Sequence, residues 1–320
     1  MKAMQLTDYD QPLVLRNIPV PTAEAGQVTV KIHTCGLNFG DLLIIKGTYQ
    51  ERPQLPFTLG MEICGTVTEV GTGVTELQVG DRVASYNGFG GLAEYATIAA
   101  DICVPVPSEM SDRDAAAFLV AYGTSHVALD YKAHLRPGER LLVLGASGGV
   151  GLTAVELGKL MGAEVIACAR GDDKLQVSKA AGADHLINSE TDDIRDIVRA
   201  LGGADVVYDP VGGDQFKAAL RACNPEARIL PLGFASGEVP QIPANILLVK
   251  NLTVIGYYWG GYSKIKPSVL TDSFAQLIAW YQDGKLTPHI SHTLPLADCN
   301  EGLDLLRTRK ATGKVIIEIG

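Results

Sequence analysis

The sequence has no basic run, no C-x-x-C cysteine pair and no long apolar stretch, and each absence removes a class of function. Its formal net charge is −9 over 320 residues. Nucleic acids and anionic membranes reward clustered Lys and Arg, so neither is expected as the main partner. An anionic cofactor remains compatible, because it needs only local positive groups. No apolar run reaches the ~18 residues of a membrane span. The opening residues, Met1-Lys-Ala-Met-Gln-Leu-Thr-Asp8, lack a signal-peptide core and pass directly into fold-like sequence. A reducing compartment, the cytoplasm, is the expected location. The six cysteines (Cys35, Cys64, Cys103, Cys168, Cys223 and Cys299) are scattered. Most sit among apolar residues, which suits small core side chains better than metal ligands or nucleophiles.

What is present describes an ordinary globular chain, 47% apolar and 20% charged, with 35 glycines for turns and close backbone contacts. The length suggests two domains. Residues 1–119 read as short strands and turns: Val28 to His33 and Gly65 to Val70 alternate apolar and polar, and Gly71-Thr-Gly73 and Val79-Gly-Asp-Arg-Val83 supply turn chemistry. Ser111-x-x-Asp114 resembles a capping box ahead of an Ala-rich helical run. From residue 120 to 262 the period changes. Strand candidates are Leu141–Leu144, Val165–Ala169, Val206–Tyr208, Ile229–Leu232 and Leu252–Tyr257, with helical runs such as Lys174–Ala181 between the early ones. That alternation predicts an α/β fold, a Rossmann-type doubly wound parallel sheet beside a β-rich domain. Residues 263–320 carry helices over Ser273–Asp283 and near Cys299–Arg307 and a last strand, Lys314–Ile319. This segment is expected to return to the first domain, which makes the cleft between domains the expected active site.

The most informative stretch is Leu141-Leu-Val-Leu-Gly-Ala-Ser-Gly-Gly-Val-Gly151, an apolar strand running through a small-residue turn into an amphipathic helix. Its turn, Ala146-x-Gly148-x-x-Gly151, varies the dinucleotide fingerprint by placing Ala in the first glycine slot. Ala146 allows the tight turn, Gly148 the approach of a pyrophosphate, and Gly151 close packing of helix on strand. Ser147, Gly149 and Val150 complete a cradle in which helix N-terminal N–H groups face the phosphates.

The second strand ends in Arg170, followed by Gly171, Asp172, Asp173 and Lys174. NAD enzymes place an acid about 20 residues past the turn. Arg170 there suits the 2′-phosphate of NADPH, and Lys174 is a second candidate. The alternative is that both are solvated surface charges. Asp172 or Asp173 taking a ribose hydroxyl would permit NADH.

With these residues in view, the chain resembles the zinc-free quinone oxidoreductase (zeta-crystallin-like) branch of the medium-chain dehydrogenase/reductase superfamily, over essentially its full length. The marks are Cys35-Gly-Leu-Asn-Phe-Gly-Asp41, Gly60-Met-Glu-Ile-Cys-Gly65, Val79 to Val83, Tyr122-Gly-Thr124, Gly138 to Gly151, Ile242 to Asn251, and Gly256-Tyr-Tyr-Trp-Gly260. Glu156 departs from the branch, whose signature has Gln there. The resemblance implies that the β-rich part is a GroES-like catalytic domain. It also implies no metal site: zinc-dependent relatives carry Cys where this chain has Asn38 and His where it has Met61, and a zinc needs about three N, S or O ligands.

Without a Lewis acid, hydride delivery to a conjugated acceptor such as a quinone remains, by orientation and hydrogen bonds to the developing oxyanion. The resemblance puts Asn38 at the nicotinamide pocket as a substrate-facing donor; the alternative is an amide satisfying a loop backbone. Tyr49 is the second candidate, as donor or proton source, or else an amphipathic surface residue. The resemblance puts Thr124 beside the nicotinamide, whose end is expected to meet backbone near Val211-Gly-Gly213 and at Gly233 and Phe234, where glycine after a buried strand permits close approach. The leading expectation is an NADPH-dependent quinone oxidoreductase. A reductase of enals, enones or enoyl-CoA is the alternative, and a non-enzymatic, crystallin-like NADPH-binding protein a further one. Relatives imply a homodimer or homotetramer, with Leu252–Tyr257 a candidate sheet edge.

Overall fold

A computed structural model describes residues 1–319. The chain divides into two compact units, Met1–Val120 with the segment from Pro288, and Ala121–Thr287. The return to the first unit thus begins at Pro288 rather than at residue 263. The cause is the helix Ser268–Gln282, whose packing partners lie in the second unit. His126 Nδ1 meets Ser273 Oγ at 2.8 Å, Trp280 stands edge-on to the His126 ring, and Phe274 packs on Trp259.

The first unit is organised by the long strand Gln27–Leu37. It pairs antiparallel with Glu62–Val70, Tyr95–Ala99 and Lys314–Glu318 within a seven-stranded sheet. Its inward residues Val28, Val30, Ile32, Cys35 and Leu37 join Ile63, Val83, Ile98, Val315 and Ile317 in one core. Burial on this scale supplies most of the driving force, at about 25 cal/mol per Å² of apolar surface. Ser111 caps the helix Asp112–Ala116, its Oγ accepting from the Asp114 N–H at 3.1 Å. The Ala-rich run continues as a second helix, Leu119–His126.

The second unit holds six parallel strands in the order His185–Asn188, Glu164–Ala169, Arg140–Leu144, Ala204–Asp209, Cys223–Pro231 and Thr253–Val254. The chain starts at the centre, winds to one edge, then returns and winds to the other. Arg140–Leu144 and Ala204–Asp209 flank the point of reversal, where such sheets bind ligands. Leu142, Leu144, Ile166, Cys168, Val207 and Ile229 are buried in its core. Two strands differ from expectation. His185–Asn188 is an edge strand whose polar ends disguise it, and Leu252–Tyr257 shortens to Thr253–Val254. Among the described residues no helix is long and apolar enough to cross a membrane.

Candidate functional site

In the second unit, the strand Arg140–Leu144 feeds a turn and the helix Gly149–Leu160. The left-handed residue of the turn is Gly145, with φ +60°, one position before the fingerprint's first slot. Ala146 therefore needs no special backbone; it is fully buried, and its N–H donates to the Cys168 carbonyl at 3.0 Å. A Cβ on Gly151 would lie 2.1 Å from the Gly145 carbonyl oxygen, so only glycine lets the helix pack this close. A Cβ on Gly148 would meet that oxygen at 3.5 Å and nothing else nearby, leaving open space in front of the turn. The first-turn N–H groups have no acceptor inside the helix. A cradle of this kind, open where a Cβ would intrude, fits a dinucleotide pyrophosphate.

Thr124 is brought to the same end of the unit by its neighbour. Ser125 Oγ contacts the Val150 carbonyl at 2.9 Å and the hydroxyls of Thr153 and Tyr208 at 2.8 Å each. Tyr257 donates to the Thr124 carbonyl at 3.1 Å. Gly233 and Phe234 follow the strand beyond the reversal point. The Phe234 ring stands 3.2 Å from where a Gly212 Cβ would be, and Val211 lies 3.0 Å from that of Gly145. Asp209 organises this corner, its Oδ1 accepting from the Val211 and Gly212 N–H groups at 2.7 and 2.9 Å. Burial pushes its carboxyl up to about 6.

Arg170 ends the second strand half-exposed, its Nε 3.4 Å from Glu190 Oε1. Lys174 lies in the first turn of the following helix, Asp172–Ala180. Asp172 is engaged by Asn188, whose Nδ2 donates to its Oδ1 at 3.1 Å.

In the first unit, Asn38 precedes the short helix Phe39–Ile45, and its N–H donates to Asp41 Oδ2 at 2.8 Å. Its side chain is tied on both sides. Nδ2 donates to the Gly36 carbonyl at 3.1 Å and to Glu62 Oε2 at 3.3 Å, and Oδ1 accepts from Lys314 Nζ at 2.7 Å. Lys314 also donates to Glu62 Oε2 at 2.9 Å, while Glu62 Oε1 accepts from the Val120 N–H at 2.8 Å. Lys314 is 4% exposed and Glu62 fully buried. The strand register explains the meeting: Val315 faces Leu37 and Glu62 faces Gly36, so residues 38, 62 and 314 converge at one end of three strands. Burial pushes the Asp41 carboxyl up to about 7. Tyr49 and Met61 meet over Gly40, where a Cβ would lie 3.5 Å from the Tyr49 ring and 2.9 Å from Met61 Sδ.

These donors do not fit a zinc ion. Asn38 Oδ1 and Glu62 Oε2 point at an ammonium, and Met61 offers only a buried thioether. Among the described residues no group of three or more His, Cys, Asp or Glu is placed to hold a metal. Sequence reasoning missed Lys314, Ser125, Asp209 and Glu190. Asp209 ahead of Gly212-Gly213 carried a readable turn signal. Lys314 carried none, being 276 residues from Asn38.

Known proteins match over the whole chain. Residues 149–281 match the family model described as Zinc-binding dehydrogenase, and residues 24–108 the Alcohol dehydrogenase GroES-like domain. The Quinone oxidoreductase-like protein 2 homolog of Nematostella vectensis is 42% identical, over 99% of this chain and 88% of that protein. The quinone oxidoreductase of Escherichia coli, solved as a complex with NADPH, gives a TM-score of 0.92 at 28% identity with 100% of both chains covered. That of Thermus thermophilus, likewise solved with NADPH, gives 0.88 at 31% identity, again with 100% of both covered. The chain therefore belongs to the zinc-free quinone oxidoreductase branch of the medium-chain dehydrogenase/reductase superfamily.

Proposed function

We propose that this protein is an NADPH-dependent oxidoreductase that reduces a quinone without a metal. The observation that carries the reading is the open glycine turn at Gly148 with Arg170 at the end of the adjacent strand. The NADPH complexes of the Escherichia coli and Thermus thermophilus relatives support the same cofactor. NADPH, when bound, supplies the hydride. The N–H groups of Ser147, Gly149 and Val150 hold the pyrophosphate, Gly148 (its own N–H donating to the Gly145 carbonyl at 3.0 Å) leaves it room, and Arg170 and Lys174 hold the 2′-phosphate. Thr124, Gly233 and Phe234 orient the nicotinamide end. Asn38 offers the acceptor's developing oxygen the proton of its long 3.3 Å bond, while Lys314 keeps Glu62 and the Asn38 carbonyl satisfied. Tyr49 supplies the proton that, with the hydride, completes a hydroquinone.

Steady-state NADPH oxidation with a naphthoquinone, an alkenal and an enoyl-CoA tests this reading. Turnover of the naphthoquinone is expected to dominate, and turnover confined to enoyl-CoA would overturn the quinone assignment. Leu248, Val249 and Ile265, each 76% exposed, support self-association. Light scattering of the purified protein is expected to give the mass of a dimer or tetramer; a monomer at micromolar concentration would remove that part of the proposal.

A further inference from the structure

The Arg170 guanidinium, assigned above to a phosphate, already has an anion beside it. Glu190 Oε1 lies 3.4 Å from its Nε, with both side chains about half exposed (53% and 54%). The other oxygen of Glu190 hangs over the next residue, 3.9 Å from where a Gly171 Cβ would be. This carboxylate therefore borders the turn that receives the adenosine ribose in folds of this kind.

The placement is built. The edge strand His185–Asn188 runs parallel to Glu164–Ala169 with Asn188 opposite Ala169, which carries the chain directly past Arg170. Asn188 then stitches the two loops together. Its Oδ1 accepts from the Gly171 and Glu190 N–H groups, both at 3.1 Å, and its Nδ2 donates to Asp172 at 3.1 Å. The backbone of Glu190 is thus tied to the turn that carries Arg170.

We propose that Glu190 is a specificity-determining residue that holds the protein between NADPH and NADH. In the free protein it pairs with Arg170. Against a 2′-phosphate it loses that partner and faces a like charge. Against a 2′-hydroxyl it accepts a hydrogen bond, the part an acid plays in NAD-binding sheets. The inference rests on the reading that a dinucleotide binds at the Ala146–Gly151 turn. The size of the effect follows from charge. A carboxylate a few ångströms from a phosphate, in screened surface conditions and released from a surface ion pair, opposes binding about three- to tenfold.

Dissociation constants for NADPH and NADH, measured by titration without an acceptor for wild type, Glu190→Gln and Arg170→Ala, test it. Gln keeps the shape and removes the charge. For Glu190→Gln, NADPH is expected to bind about three- to tenfold more tightly and NADH more weakly, moving their affinity ratio by about tenfold. Arg170→Ala moves the ratio the other way, with NADPH weakened about tenfold or more. An unchanged ratio in Glu190→Gln, with both cofactors still bound, overturns the role of Glu190 and leaves the cofactor site standing. Failure of the folded wild type to bind either cofactor overturns the cofactor reading, and the inference with it.

Discussion

Replacing Lys314 by methionine destabilises the protein by about 3–5 kcal/mol, the cost of breaking a buried ion pair from one side. Methionine fills nearly the same volume, so the loss is electrostatic. Glu62 is fully buried, and among the described residues the ammonium 2.9 Å away is its one cationic partner. Without it the carboxylate keeps the Val120 N–H and the long bond from Asn38, and Asn38 Oδ1 loses the Lys314 donor. Thermal unfolding followed by circular dichroism is expected to show a midpoint lower by about 10 °C. Adding Glu62→Gln removes the stranded charge and keeps an acceptor for Val120, so the double variant recovers most of the loss. A single variant within about 1 kcal/mol of wild type would mean the pair contributes no more than a surface salt bridge.

The second large effect separates two glycines that the fingerprint treats alike. Gly151→Ala puts a Cβ 2.1 Å from the Gly145 carbonyl oxygen and 3.0 Å from Ala146 Cα, contacts that only parting the helix from the strand relieves. Overpacking of this kind is expected to cost about 3 kcal/mol or more. It also displaces the cradle, so NADPH affinity falls by about a hundredfold. Gly148→Ala meets one atom, at 3.5 Å, and its φ of −80° is open to alanine. Its stability stays within about 1 kcal/mol of wild type. Affinity still falls about tenfold or more, because the methyl projects where the phosphate approaches. Chemical denaturation and cofactor titration on both variants check this. Equal stability losses would show that Gly148 is a packing glycine too.

The strands and helices most legible in the sequence are those whose local pattern agrees with their tertiary role. Arg140–Leu144, Glu164–Ala169 and Ala204–Asp209 are apolar because both faces of a parallel sheet are covered. His185–Asn188 has only two apolar residues between polar ends, and an edge strand survives on one neighbour's hydrogen bonds. The helix Ser268–Gln282 reads as amphipathic, but its sequence does not say which unit covers its apolar face; His126 and Trp259 decide that. Ala146 reads as a departure from a glycine motif and is none in three dimensions, since Gly145 takes the left-handed conformation.

The zinc contrast at Asn38 and Met61 came by resemblance to relatives; by itself the sequence determined the α/β class, the glycine-rich turn after the first parallel strand and Arg170 beyond the second. Each rests on neighbours within a few residues, where spacing and side-chain chemistry act directly. The tertiary structure alone decided what stands beside those residues. It placed Lys314 against Asn38 and Glu62 across 276 and 252 residues, and Glu190 against Arg170 by the pairing of two parallel strands. The physical reason is register: hydrogen-bonded strands fix which distant side chains share a strand end, and no local pattern encodes that choice.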